Sequence, residues 1–91
     1  MTEHTHVLLY FSAKWCAPCR VVSKSIEKID AQFPNILVTK VDVDDRAEFA
    51  SDYGIKGLPT CLLIDKSGTE VSRVVGARTK EDLINELRLP E

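Results

Sequence analysis

The residues with the clearest chemical potential are Cys16 and Cys19, in the run Trp15-Cys16-Ala17-Pro18-Cys19. Two cysteines three positions apart lie within one helical turn and can close a disulfide. They can also supply half a zinc site or pack as small core residues. A zinc site would need Cys61 with His4 or His6, and these positions lack finger-like spacing. Redox chemistry needs a thiolate, and a helix start favours one through free backbone N–H groups and the positive end of the dipole. Local charge adds to this. No acidic residue stands between Glu3 and Glu27, while Lys14, Arg20 and Lys24 flank the pair.

The surrounding pattern must therefore put a helix start at Cys16. Val7 to Phe11 is a continuous apolar run, as in a strand buried on both faces. A short turn, Ser12 to Trp15, follows. From about Cys16 the period becomes helical, with Val22, Ile26, Ile29 and Phe33 forming one stripe before Pro34. Ile36 to Val43 is rich in β-branched residues and reads as a second strand. Asp44 or Asp45 is expected to cap a short helix through Tyr53, with Gly54 beyond its end. Thr60 to Ile64 and Glu70 to Val75 read as strands joined by a hairpin turn at Asp65-Lys66-Ser67-Gly68. Thr79 caps a last helix that turns Leu83, Ile84 and Leu87 inward. The order is βαβ-α-ββα. It predicts an α/β fold with a four-stranded mixed sheet and helices on both faces.

Composition narrows the function. Residues 1–91 are too few for two cores and are read as a single domain. Twelve Lys+Arg oppose fourteen Asp+Glu, spread evenly, so no basic face for nucleic acid is expected. No apolar run reaches membrane-spanning length, and the leader MTEHTH is polar; a cytoplasmic protein is expected. Three cysteines, an odd number, argue against a disulfide framework.

Several motifs together resemble the thioredoxin family across nearly the whole chain. Trp15 to Cys19 is similar to its W-C-G-P-C. Tyr53-Gly54-Ile55-Lys56-Gly57-Leu58-Pro59-Thr60 is similar to its Y-G-I-x-G-I-P-T. Gly68 and Val75-Gly76-Ala77 also match. The resemblance implies a thioredoxin-like fold and a protein-disulfide reductase acting by dithiol exchange. Cys16 would be the nucleophile, Cys19 the resolving cysteine and Pro59 a cis residue against the sulfurs. Trp15, Ala17, Pro18, Val43, Gly57, Leu58, Pro59, Val75, Gly76 and Ala77 would form the docking surface. The Cys16–Cys19 disulfide would be the only redox group, with no bound cofactor and no metal. Expected partners are disulfide-containing proteins and a thioredoxin-reductase-like flavoenzyme, with ribonucleotide reductase as one acceptor. A glutathione-linked, glutaredoxin-like reductase and a redox-independent docking module are the alternatives.

The chain departs from the pattern in four places. It begins almost at the strand leading into Trp15, so one sheet flank is expected to be open, though a monomer is expected. Tyr10 stands where the family has a buried Asp, thought to take the proton of the resolving cysteine. A phenol, with a reference pKa of about 10, is a poor base at neutral pH, so Cys19 should be activated more slowly or through another group. Otherwise Tyr10 is a core aromatic whose hydroxyl reaches water or Lys40, the match to that Asp's usual lysine partner. Without the Asp, Lys40 should point to solvent. Ala17 replaces glycine, and Lys24 replaces a mid-helix proline. Outside the motifs, Cys61 reads as a buried packing residue. Asp42 to Asp45 lacks the glycine and glutamate of a calcium loop and reads as a strand end plus helix cap. His4 and His6 read as surface residues.

Overall fold

The computed structural model describes residues 4–90. The elements are β1 (His6–Ser12), α1 (Ala17–Gln32), β2 (Ile36–Asp42), α2 (Ala47–Asp52), β3 (Thr60–Asp65), β4 (Glu70–Val75) and α3 (Lys80–Leu87). The sheet order is β2-β1-β3-β4. β1 runs parallel to β2 and antiparallel to β3, and β3 runs antiparallel to β4.

This topology explains the apolar run in β1. The strand is paired on both sides and covered on both faces, so Leu8, Leu9, Tyr10 and Phe11 are all buried. Alternation sends Leu8 and Tyr10 to one core, with Val22, Ile26 and Ile29 of α1 and Leu83 and Leu87 of α3. Leu9 and Phe11 join the other core, with Val41, Ala50 and Leu62 under α2. There Phe11, Phe49 and Tyr53 form an aromatic cluster with ring centroids 5.2–6.1 Å apart. Full burial of each large aliphatic side chain stabilises the fold by about 1.5–3 kcal/mol.

Boundaries differ from expectation by a residue or so, and one cap differs in kind. Asp44 and Asp45 do not cap α2; its N-cap is Arg46, with no side-chain hydrogen bond. Asp42, at the end of β2, instead accepts the Asp44 and Asp45 N–H groups and holds the turn. The guanidinium of Arg46 lies 5.2 Å from the Phe49 ring centroid. Gly54 has φ +66° beyond the α2 cap, and Thr79 accepts the Asp82 N–H at the start of α3, both as expected. His6 is not part of a free leader: it opens β1, opposite Ile36 and Asp65. Among the described residues the outer edge of β2 has no strand partner.

Strand directions bring the functional segments together. β1 and β2 both end where β3 begins and β4 ends. The segments around Cys16, Val43, Pro59 and Gly76 therefore meet at one end of the sheet. The Val43 N–H donates to the Ser12 carbonyl at 2.9 Å, and the Gly76 N–H to that of Pro59 at 2.8 Å.

Candidate active site

Cys16 is the N-cap of α1, with an extended backbone, and Pro18 occupies the first turn, where a missing N–H costs nothing. Cys16 and Cys19 are joined by a disulfide, with Cα atoms 5.3 Å apart. The Cys19 N–H donates to Cys16 Sγ at 3.3 Å. Once the bridge is reduced, that donor and the helix N-terminus favour an anionic sulfur at Cys16. Lys14, Arg20 and Lys24 are exposed and make no ion pair among the described residues.

Both sulfur-bearing residues are largely buried, at 5% exposure for Cys16 and 3% for Cys19. They differ in surroundings. Cys16 lines a cleft of about 450 Å³, together with the expected Trp15, Ala17, Pro18, Val43, Gly57 and Leu58. Cys19 faces the core and does not line it. Ala50, Ile55 and Lys56 also line the cleft and were not singled out from sequence. Lys56 fills the variable position of the Tyr53–Thr60 motif, a position that carries no family signal.

The remaining expected residues, Pro59, Val75, Gly76 and Ala77, do not line this cleft. The Leu58–Pro59 bond is cis, and Pro59 is buried. Leu58 makes no backbone hydrogen bond among the described residues, so its N–H and C=O are open to a strand-like partner. Val75 lies behind the cleft wall: a Cβ added at Gly57 would come within 3.0 Å of its Cγ1. Ala77 lines a separate shallow groove with Val21, Lys28 and Arg78. Trp15 is 69% exposed, and its indole N–H donates to Asp44 Oδ2 at 2.9 Å.

Tyr10 and Lys40 lie elsewhere. Tyr10 is fully buried, and its hydroxyl does not bond to Lys40. It donates to the Cys19 carbonyl at 2.5 Å and accepts from Ser23 Oγ at 3.3 Å. Burial raises the phenol above its ordinary value of 10.0, against the smaller lowering effect of Ser23. It therefore stays protonated at neutral pH and ties α1 to β1. Lys40 is exposed, with Nζ 3.8 Å from Glu27 Oε1, and does not join the site. Cys61 is 1% exposed, and burial pushes its thiol from 9.0 up to about 12. Among the described residues, no cluster of three or more His, Cys, Asp or Glu could hold a metal, and no helix is long and apolar enough to cross a membrane.

A helix-capping cysteine pair beside a cis-proline loop, at the end of a mixed sheet, defines a thiol–disulfide exchange site. A family model described as Thioredoxin matches residues 1–89, and the chain belongs to the thioredoxin family. Thioredoxin from Chlamydia caviae is 41% identical over 78 residues, which is 86% of this chain and 76% of that one. Thioredoxin 1 from Synechococcus elongatus is 44% identical over 82 residues, covering 89% and 76%. The X-ray structure of Fasciola hepatica thioredoxin superposes with a TM-score of 0.85 at 31% identity, covering 94% of this chain and 81% of that one. The protein is a thiol–disulfide oxidoreductase of the protein-disulfide reductase type, and Cys16–Cys19 is its redox-active disulfide.

Proposed function

We propose that Cys16 is the nucleophile and Cys19 the resolving residue, and that the cleft beside Cys16 receives the substrate. The observation that carries this assignment is the difference between the two cysteines: Cys16 lines the cleft, whereas Cys19 lies behind it against the Tyr10 side of the core. In the reduced protein, Cys16 thiolate attacks one sulfur of a substrate disulfide. The other substrate sulfur leaves as a thiolate and takes a proton from solvent. Cys19, deprotonated, attacks Cys16 Sγ; the second substrate thiolate leaves, and the Cys16–Cys19 bridge forms. Two electrons pass to the substrate.

Trp15, Ala17, Pro18, Val43, Gly57 and Leu58 hold the substrate, with Pro59 setting the wall and Val75, Gly76 and Ala77 extending the surface. The partner is a protein disulfide. A thioredoxin-reductase-like flavoenzyme restores the dithiol, and ribonucleotide reductase is one acceptor of suitable chemistry. The protein acts in the cytoplasm as a monomeric single domain, without cofactor or metal, and does not bind nucleic acid or membrane.

Trp15 is the sole tryptophan and adjoins Cys16, so its fluorescence reports a titration in graded thiol–disulfide buffers. A two-electron transition near about −270 mV supports a cytoplasmic reductase. A value at or above about −200 mV supports the glutathione-linked or an oxidising role instead. Absence of a transition would leave only docking.

A further inference from the structure

Among the described residues, Lys56 is the single charged side chain lining the Cys16 cleft. The other walls are mostly apolar, including Val43, Ile55 and Leu58. Arg73, Arg78, Lys80 and Lys40 are paired with Glu70, Glu86, Glu81 and Glu27, and the unpaired Lys14, Arg20 and Lys24 do not line the cleft. Lys56 makes no hydrogen bond or ion pair among the described residues. Asp44, the carboxylate beside the Trp15 wall, is turned to the indole N–H and does not line the cleft. The cleft therefore carries one positive charge and no carboxylate among its lining residues; Lys56 is exposed, so its effect is partly screened by solvent and salt.

We propose that Lys56 makes this cleft selective for disulfides whose attacked cysteine has an acidic residue two or three positions away. The inference rests on the dithiol-exchange reading of Cys16 and deepens it by naming the substrate class. Lys56 stands two residues before Leu58, whose free backbone is available to pair with an extended segment. Two residues of extended chain span about 7 Å, a distance a lysine side chain helps to bridge. A basic residue at the same place would be repelled, so the same charge both attracts and rejects.

The test uses short peptides whose one cysteine carries a 2-pyridyl disulfide, with Glu, Gln or Lys two residues from that cysteine. Release of thiopyridone by the reduced protein gives each rate at low ionic strength. The Glu peptide should react about threefold to tenfold faster than the Lys peptide, and the ratio should shrink in high salt. Lys56→Gln should flatten the ratio, and Lys56→Glu should invert it. Equal rates for all three peptides overturn the inference while leaving dithiol exchange intact. So does an unchanged preference for Glu in Lys56→Glu. If no peptide is reduced, the dithiol reading itself fails and the inference falls with it.

Discussion

Replacing Tyr10 by Phe separates a structural strut from a proton acceptor. The ring is fully buried in the α1-side core, and Phe fills nearly the same space, so no cavity term arises. What is lost is the hydroxyl, with its bond to the Cys19 carbonyl at 2.5 Å and the one accepted from Ser23 at 3.3 Å. A buried hydrogen bond contributes about 0.5–1.5 kcal/mol net, and the longer second bond belongs at the low end. The variant should therefore be about 1–2 kcal/mol less stable than the parent. For a domain of this size that lowers Tm by about 5–15 °C. Calorimetry of the oxidised form measures it. The rate of disulfide reduction should keep the same pH profile between pH 6 and 9, because burial holds the phenol protonated there. Loss of an ionisation from that profile would make Tyr10 a proton acceptor, and stability unchanged within error would rule out the strut.

Other expectations follow from the same geometry. Cys61 should resist alkylation in the native reduced protein, so iodoacetamide modifies it only in denaturant; labelling of Cys61 without denaturant, located by peptide mapping, contradicts its burial. Its thiol is raised from 9.0 to about 12, so it contributes stability below pH 9 that is lost between pH 9 and 12, roughly 4 kcal/mol in all. Alkaline unfolding should accordingly be shallower in Cys61→Ala than in the parent. Gly54→Ala places a Cβ in open space but at φ +66°, and should cost about 1 kcal/mol by denaturant titration with no change in slope. Asp65 is held below its ordinary value first by the Ser67 hydroxyl and then by the Thr69 N–H. Its folded-state pKa is depressed, so its stabilisation is present above about pH 4 and lost as pH falls. Asp65→Asn should therefore show a smaller drop in Tm between pH 6 and pH 3.

Much of this was legible from the chain because the signals are local or periodic. The apolar run of β1, the stripe Val22-Ile26-Ile29 and the turn glycines Gly54 and Gly68 each encode their own geometry. The C-x-x-C at a strand-to-helix junction did the same for the site. What was hidden depends on contacts between distant segments. Asp42 and the following acids all have capping chemistry, and only the strand end decides that Asp42 holds the turn. The Tyr10 hydroxyl finds the Cys19 carbonyl because β1 packs under α1, and nothing within several residues of Tyr10 announces it. Trp15 and Asp44 are 29 positions apart. Lys56 enters the cleft only because the loop after α2 folds against the Trp15 segment.

In the proposed cycle Cys16 attacks and Cys19 resolves. The most direct measurement is a trapping experiment with Cys19→Ser and a disulfide-bonded protein substrate, read by mass spectrometry of the intact complex and its peptides. A stable mixed disulfide joined through Cys16 is expected, with turnover abolished. A mixed disulfide through Cys61, or turnover at the parent rate without Cys19, would contradict it.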